Sequence, residues 1–589
     1  MEVARIIFVA VACVAVWFRI WEPFESVSVI GLAGAIAGIF PILKEAFEAV
    51  LERRMTMELS MTIAIGAALA IGEFFTGLVI ILFVLIAEVL EKMTVGRGRR
   101  AIKDLLDFLP RAADVRVGDM VVVKPGSRIP VDGEVVSGNS FVDQSAITGE
   151  SLPVEKARGA HVYAGTINQS GALDVRATRI GRDTAFGKII DAVEAAEKTR
   201  AAIQKTADKL AGYLVYFALS CAALTFIITR DLRSTISVII VAGACGIAAG
   251  TPLAILGGIG RAARAGAIIK GGRYLEILSR VDTVVLDKTG TLTYGNPEVA
   301  GVHTAAGITI DDVIGTAAIA EKRSEHPVAQ AVLRKAAEAS LSVMDPDHFS
   351  YAPGKGLICS AAGEEIVVGN RTLFEERRID VNGFGTNGIH ASEILVARDG
   401  RLLGVLEIAD RLRPEAIQAV AELRRLGLRV ILLTGDSESI ARAVAKELRI
   451  DELEAGLLPE QKVERVQALI REGRTVVMVG DGINDAPALM HANVGVAMGS
   501  GTDVARESAQ IMLIGNDLLK LVETLRIARR CHRIIMTNFA GTLLVDGVGV
   551  ALAAFGLLNP LFAAFIHVSS ELAFILNSAR LLPTSRPQW

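Results

Sequence analysis

The run Asp287-Lys288-Thr289-Gly290-Thr291 puts a carboxylate, an ammonium, two hydroxyls and a glycine into five residues. It follows Val281-Asp282-Thr283-Val284-Val285-Leu286, a short β-branched run that predicts a buried strand. A carboxylate at the carboxyl end of such a strand stands where open α/β sheets bind ligands. The residues after it offer a cation, hydroxyls and free backbone N–H groups, which suit a phosphate. The chemistry this supports is a carboxylate nucleophile that takes a phosphoryl group and holds it as an acyl phosphate. Taken alone, the run also reads as a plain strand exit with a solvated Asp. Two further stretches decide between these readings. Val430-Ile431-Leu432-Leu433 predicts a strand ending in Thr434-Gly435-Asp436, and Thr475-Val476-Val477-Met478-Val479 one ending in Gly480-Asp481-Gly482-Ile483-Asn484-Asp485. Lys462 lies on the helix predicted between them. Three strand ends thus bring Asp287, Thr434 and Asp481 to one edge of a sheet, with Lys462 alongside. Phosphoryl transfer needs such parts, because its catalysis is mostly positioning and charge neutralisation. Mg²⁺ takes oxygen ligands, and Asp287 and Asp481 supply them. Asp485 reads as a further ligand, as a helix N-cap, or as both.

These motifs, in this order and at strand ends, resemble the P-type ATPases, in the branch that transports heavy metals. Asp287 to Thr291 match the family's phosphorylation motif at every position, and matches to other motifs run from about Ala4 to Leu582. The resemblance implies a polytopic α-helical membrane protein. It implies a cytoplasmic β-rich actuator domain and a haloacid-dehalogenase-like α/β phosphorylation domain carrying an inserted α+β nucleotide-binding domain. On that reading residues 1–100 hold membrane segments one to four and 101–205 the actuator domain. Residues 206–260 hold segments five and six, 261–296 with 402–533 the phosphorylation domain, 297–401 the nucleotide-binding domain, and 534–589 the last two segments.

The resemblance also assigns roles. Asp287 is the nucleophile, Thr434 the phosphate-binding hydroxyl and Lys462 the cation. Mg²⁺ is held by Asp287, Asp481, Asp485 and the Thr289 backbone carbonyl. Lys288, Thr289, Gly435, Asp436 and Asn484 bind the ATP and phosphate. In the first loop, Val115 to Val123 alternates as a strand should, and Pro125-Gly126 and Asp132-Gly133 are turn signals. At its centre Thr148-Gly149-Glu150-Ser151 reads alone as a polar turn; within the family pattern Glu150 orients the water that hydrolyses the acyl phosphate. In the insertion, Ser324-Glu325-His326-Pro327 and Gly354-Lys355-Gly356 are each weak signals alone. Together they resemble the branch's nucleotide site, where His326, Gly354 and Gly356 position adenine and phosphates; Gly369-Asn370 fits as well. No Gly-Lys-Ser/Thr loop is present, which excludes a P-loop ATPase.

Hydrophobic residues make up 51% of the chain, more than a soluble fold carries, so membrane segments are expected. Eight apolar segments are readable, at about 4–21, 27–43, 57–71, 74–89, 211–229, 236–258, 536–558 and 561–582. The first resembles a signal peptide, but Arg19 and Trp21 stand where small cleavage-site residues would be, so it is a membrane helix. Lys and Arg collect after segments two, four and six. The positive-inside rule then places both large loops and both termini in the cytoplasm, with the protein in the plasma (inner) membrane. A net charge of −3 gives no sign of nucleic-acid binding. The five cysteines include no CxxC pair, so neither a disulfide framework nor a zinc ribbon is readable, nor the N-terminal metal-binding domain common in this branch. A monomer is plausible, and neither an oligomer nor a metal donor is readable.

The sixth segment departs from the family pattern. The branch places a Cys-Pro-Cys or Ser-Pro-Cys ahead of a Thr-Pro pair. Anchored on Thr251-Pro252, the matching positions are Gly243, Ala244 and Cys245. The loss of that proline predicts a less unwound helix, although Gly243, Gly246 and Gly250 can still loosen it and Pro252 can kink it. Cys245 is either a small buried hydrophobe or a ligand, and its register favours the ligand. Asp546 falls where a related zinc-exporting subgroup carries a Lys. His567 aligns with that subgroup's acid and with the His of a cobalt-like subgroup. His567, Ser570 and Glu571 share a helical face, although Glu571 also reads as a salt-bridged structural residue. Glu88 resembles the family's carboxylate at the cytoplasmic mouth. Ionisable groups inside membrane segments are costly and functional by default. A mixed N/O/S set suits Zn²⁺, Co²⁺, Fe²⁺, Ni²⁺ or Mn²⁺ better than Cu⁺. The reading is ATP-driven export of such a divalent cation. The alternatives are the same pump for Cu⁺ or another cation, and a non-transporting, membrane-anchored phosphatase of the haloacid-dehalogenase type.

Overall fold

A computed structural model gives the fold, describing residues 2–24, 27–51, 57–103, 115–144, 153–184, 187, 202–242, 245–324, 327–352, 355–381, 392–481, 485–499 and 507–582. Two compact units divide the chain, Met1–Ser279 with Glu523–Trp589, and Arg280–Val522. The first opens on four apolar helices, α1 (Glu2–Trp17), α2 (Val29–Leu51), α3 (Met57–Ala70) and α4 (Phe74–Lys103). Gly34 and Gly38 let α2 sit close to its neighbours. A Cβ at Gly34 would stand 2.7 Å from Ala12 Cβ and 2.9 Å from Leu78, and one at Gly38 would press on Ile81 and Val9. Small residues one turn apart are how apolar helices approach closely in lipid.

Short strands follow: β1 (Met120–Val123), β2 (Asp132–Ser137), β3 (Ser140–Asp143), β4 (Val154–Lys156), β5 (His161–Val162), β6 (Ile167–Asn168) and β7 (Leu173–Arg179). They make sheets ordered β1-β7-β2-β5 and β4-β3-β6, over a core that includes Val123, Ile129, Val135 and Leu173. The alternating run from Val115 becomes a strand only at Met120. Before that the chain turns, with the Arg116 N–H donating to Asp119 Oδ2 at 2.8 Å. Asp132-Gly133 starts a strand instead of making the expected turn. Asp132 is tied down by the Ala164 N–H at 2.8 Å, and Gly133 leaves room for the Arg176 carbonyl of β7.

Helices α5 (Ala202–Thr229), α6 (Leu232–Val241) and α7 (Cys245–Arg264) come next, then β8 (Ala267–Ile269) and α8 (Gly272–Ser279). The sixth apolar segment is two helices, not the less unwound helix expected there. The backbone leaves helical geometry at Ala242 (φ −87°, ψ 83°), and α7 begins at Cys245. The run Ala242-Gly243-Ala244-Cys245-Gly246 has little side chain to hold a helix and two glycines that weaken one. A break there needs no proline.

The second unit starts with β9 (Thr283–Asp287). An antiparallel sheet is inserted after it, from β10 (Glu298–Thr304), β11 (His348–Ala352), β12 (Gly356–Ala361), β13 (Glu364–Gly369), β14 (Ser392–Arg398) and β15 (Arg401–Ala409). Helices α9 (Ile310–Glu321), α10 (Pro327–Glu338) and α11 (Arg371–Glu376) accompany it. The insertion runs on to Ala409, past the boundary expected at 401. The apolar run from Leu402 looks like the next parallel strand, yet it pairs antiparallel with β10 and β14. The chain then forms α12 (Pro414–Arg425), β16 (Arg429–Leu433), α13 (Glu438–Leu448), β17 (Glu452–Glu454), α14 (Pro459–Arg471), β18 (Val476–Gly480), α15 (Ala486–His491), β19 (Val494–Ala497) and β20 (Ile511–Leu513). The strands lie parallel in the order β17-β16-β9-β18-β19-β20. Their centre is an apolar core of Val285, Ile431, Leu433, Val476 and Met478.

Helices α16 (Leu519–Ala554) and α17 (Pro560–Ala579) end the chain, and α17 packs on α4, α6 and α7. Among the described residues, four stretches are long and apolar enough to cross a membrane: Val29–Glu48, Ala202–Thr229, Leu519–Ala554 and Pro560–Ala579. Met61–Ala70, Phe74–Leu90 and Leu232–Val241 are shorter apolar helices. Each expected segment overlaps a helix, the sixth two, and α2, α4, α5, α7 and α16 overrun theirs.

Candidate phosphorylation centre and membrane polar groups

Strand β9 is buried along its whole length and delivers Asp287 at its carboxyl end. Its neighbour β16 is in register, with Leu433 opposite Asp287, so Thr434 emerges at the same edge. Strand β18, on the other side, brings out Asp481 there. Helix α14 supplies the cation: Lys462 Nζ donates to Asp287 Oδ1 at 2.5 Å and to Asp485 Oδ1 at 2.7 Å. Asp485 occupies the N-cap position of α15 but makes no side-chain capping bond; its carboxylate goes to Lys462 instead.

Oxygens of Asp287, Asp481 and Asp485 lie within 4.8 Å of one another. Burial, and then the Asp485 charge, push the Asp287 carboxyl up, against the pull of Lys462. Burial and Asp485 also push Asp481 up, to about 6. Burial opposes the charge on Lys462, but Asp287 and Asp485 hold its pKa above the ordinary value. Three carboxylates facing one ammonium leave an excess of two negative charges, which matches a divalent cation with oxygen preference.

Lys288 pairs with Asp436, tying the loop after β9 to the loop after β16. Thr434 is buried, and its Oγ1 accepts from the Asp436 N–H at 3.1 Å. The Thr291 Oγ1 is buried without a hydrogen-bond partner among the described residues. Gly290 turns the loop at φ 70°, and a Cβ there would overlap the Asp481 carboxylate. Gly290→Ala is therefore strained in backbone and in space. Its rate of phosphoenzyme formation is expected to fall at least ~100-fold, the scale of a small misplacement of reacting groups. Labelling from ATP at the wild-type rate would show that the close approach is unimportant.

Two residues here had no sequence signal, Asp410 and Arg413. Both reach back to the loop at Thr293. The only hint was a charged pair ahead of Pro414, which opens α12.

In the inserted domain, Gly356 and Gly369 are partners in the β12–β13 ladder. Gly356 has φ +146°, and a Cβ on it would collide with the Val368 carbonyl and with Gly369 Cα. The second glycine thus belongs to the same close approach as the first. Asn370 caps α11 by accepting the Leu373 N–H at 3.2 Å. Glu321, at the end of α9, was not singled out from sequence. It is buried, burial raises its carboxyl, and its Oε2 has no hydrogen-bond partner among the described residues. Glu150, His326, Gly354 and Asn484 lie outside the described residues.

In the membrane helices, Asp546 of α16 and His567 and Glu571 of α17 are all buried. Neither His567 ring nitrogen has a hydrogen-bond partner within 3.5 Å among the described residues. The nearby Val241 carbonyl belongs to the last residue of α6, where the helix breaks. Ser570 is already engaged, its Oγ donating to the His567 carbonyl at 2.8 Å. Cys245 starts α7, but its side chain lies outside the described residues. Asp546, His567 and Glu571 do not by themselves bring ligand atoms within 4.8 Å as a group of three; among the described residues only Asp287, Asp481 and Asp485 do so. Thr542, one turn before Asp546, is buried, its hydroxyl has no hydrogen-bond partner among the described residues, and it carried no sequence signal.

Another polar set ties the helices together. Asn538 of α16 donates to the Phe574 carbonyl at 3.2 Å and to Ser578 Oγ at 2.9 Å, and accepts from Asn577 Nδ2 at 2.8 Å. Gly250 of α7 closes on it, since a Cβ there would lie 3.1 Å from Ser578 Oγ and 3.2 Å from Asn538 Nδ2. Glu88 lies at a separate cavity of about 240 Å³ and is ion-paired with Lys92, which also reaches Glu2 at 3.1 Å.

Parallel strands that deliver Asp, Thr and Asp to one edge, with a lysine from the intervening helix, define a haloacid-dehalogenase-type phosphotransfer centre. Residues 281–493 match the haloacid dehalogenase-like hydrolase family, and residues 109–194 the P-type ATPase actuator domain. The chain is 38% identical over 535 residues to a copper-exporting P-type ATPase of Bacillus subtilis, spanning 86% of this chain and 67% of that one. It is 36% identical over 586 residues to a probable copper-exporting P-type ATPase V of Mycobacterium tuberculosis, spanning 93% and 76%. It resembles a crystal structure of a zinc-transporting PIB-type ATPase in the E2.Pi state, with a TM-score of 0.61 and 31% identity over 99% of this chain and 100% of that one. The chain belongs to the heavy-metal-transporting P-type ATPases, and is an integral membrane, ATP-hydrolysing cation exporter of that family.

Proposed function

We propose that this exporter carries a divalent transition-metal cation, Zn²⁺ or Co²⁺ first, by way of an acyl phosphate on Asp287. The observation that supports the ion class is buried His567, with neither ring nitrogen in a hydrogen bond shorter than 3.5 Å among the described residues and the Val241 carbonyl nearby. Buried polar groups without partners are costly, and a borderline cation is the partner an imidazole suits. Cys245, Asp546, His567 and Glu571 are the ligands in this reading, with Ser570 beside them and Glu88 on the path.

In the reaction, a carboxylate oxygen of Asp287 attacks the γ-phosphorus of ATP. The bond to the bridging oxygen breaks and ADP leaves. Lys462 and Thr434 meet the charge on the transferred group. Lys288, Thr289, Gly435, Asp436 and Asn484 hold the phosphates. His326, Gly354 and Gly356 seat the nucleotide. Glu150 then orients the water that releases inorganic phosphate and restores the carboxylate. Asp287, Asp481, Asp485 and the Thr289 carbonyl would hold Mg²⁺, which supplies charge neutralisation when bound. The loops and termini face the cytoplasm, and the membrane is the plasma membrane.

The names of the Bacillus and Mycobacterium relatives favour a second reading, export of Cu⁺. The test is the ATPase rate of the purified protein with Zn²⁺, Co²⁺, Fe²⁺, Ni²⁺, Mn²⁺ and, under reducing conditions, Cu⁺. Strongest stimulation by Zn²⁺ or Co²⁺ is expected. Stimulation by Cu⁺ alone would overturn the divalent reading.

A further inference from the structure

We infer that Asp410, Arg413 and Thr293 form a brace that sets the phosphorylation loop from the two strands crossing into the inserted domain, and that all three are positioning residues for phosphoryl transfer. This rests on Asp287 being the phosphorylated residue. The chain leaves the parallel sheet just after the loop and enters β10 at Glu298. It returns through β15, which ends at Ala409, next to Asp410. The brace therefore sits at the double crossing between the two sheets.

Asp410 takes three bonds from the outgoing strand. Its Oδ2 accepts from Thr293 Oγ1 at 2.6 Å and from the Gly295 N–H at 3.1 Å, and its Oδ1 from the Asn296 N–H at 3.3 Å. Thr293 Oγ1 also lies 3.0 Å from the Lys288 carbonyl and accepts from the Gly290 N–H at 3.3 Å. A hydroxyl has one proton to give. The carboxylate is the stronger and nearer acceptor, and the Lys288 carbonyl already receives the Thr293 N–H at 3.1 Å. The polarity is then fixed: the Gly290 amide donates to Thr293, and Thr293 donates to Asp410.

Arg413 works on the carbonyl side. Its guanidinium is buried, donates to the Thr293 carbonyl at 2.9 Å and the Gly290 carbonyl at 3.3 Å, and lies 4.8 Å from the Tyr294 ring centroid. Gly290, the residue that folds the loop against Asp481, is thus held at its carbonyl by Arg413 directly and at its amide by Thr293, which Asp410 holds in turn from the far side of the insertion. Arg413 and Asp410 also act with opposite sign on the Asp481 carboxylate. A shift of the inserted domain that separates the crossing strands must pull on Gly290 before it reaches Asp287.

The test uses the full-length protein in detergent, with rapid-quench ³²P labelling from ATP and, separately, equilibrium binding of a non-hydrolysable ATP analogue. Thr293→Val keeps the shape but removes the link between Gly290 and Asp410. Its labelling rate is expected to fall on the order of 10- to 100-fold, the scale of losing a hydrogen bond to a charged group. Analogue affinity should stay within about twofold of wild type, because the nucleotide-binding insertion is untouched. Thr293→Ser restores the rate. Arg413→Lys cannot span both carbonyls and should show the same split between rate and affinity, which keeps the test open if Thr293→Val does not fold. Wild-type labelling by Thr293→Val or by Arg413→Lys, or loss of analogue binding in step with labelling, would overturn the brace. Labelling retained in an Asp287→Asn control would instead overturn the phosphorylation assignment.

Discussion

Asp287→Asn is expected to take up no acid-stable phosphate from ATP and to show no metal-stimulated ATPase. Asn matches the size of Asp287 and leaves an oxygen for Lys462, which now donates to Asp287 Oδ1 at 2.5 Å. It cannot form an acyl phosphate, because its side chain has no anionic oxygen to attack with. Loss of a nucleophile costs at least about 10³-fold in turnover even where the rest of the site persists. The fold should not suffer. The Asp287 carboxyl is raised from 3.8 in the unfolded chain to about 7 in the fold. Such an acid costs stability increasingly as pH rises through that window, and in full above it. Removing its charge at neutral pH relieves that cost. A melting temperature no lower than wild type, in the absence of divalent cations, accompanies the expected loss. Acid-stable labelling of the variant would remove Asp287 from the centre of the mechanism.

His567→Ala and Asp546→Ala are each expected to lower metal-stimulated ATPase at least ~10-fold, with Cys245→Ala close behind. Phosphorylation by inorganic phosphate should persist in all three, since it needs the phosphorylation centre but not the cargo. That contrast separates a transport-site defect from misfolding. His567 and Asp546 are 2% and 3% exposed, so a surface role does not explain them. Each ligand lost from a small site weakens it by roughly 10- to 100-fold, by analogy with second-shell losses at metal centres. Full metal stimulation in the Ala variants would show that the cargo binds elsewhere.

The phosphorylation centre was legible because each of its parts carries a local signal. A β-branched run followed by Asp, Thr or Gly-Asp names a strand end without knowledge of the neighbours, and parallel order then brings the ends together. The role of Asp485 was half legible. Its place before a helix was clear, but the choice between capping and binding Lys462 depends on where α14 packs. Asp410 and Arg413 were silent, because their partners at Gly290 and Thr293 lie across the whole insertion. The end of that insertion was misplaced for a related reason: Leu402 to Ile408 is apolar enough for either sheet, and pairing alone decides. The break after α6 was half legible: the lost proline argued for a less unwound helix, while Gly243 and Gly246 argued for a looser one.

The Asn538 cluster has a mechanical consequence. Four hydrogen-bonding groups on α16 and α17 meet there, and Gly250 brings α7 against them with no side chain between. Away from water such bonds have few alternative partners, so they are the last to part. The three helices are clasped at that level, which makes Asn538 a fulcrum. A bulky residue at position 250 would loosen that fulcrum without touching any ligand.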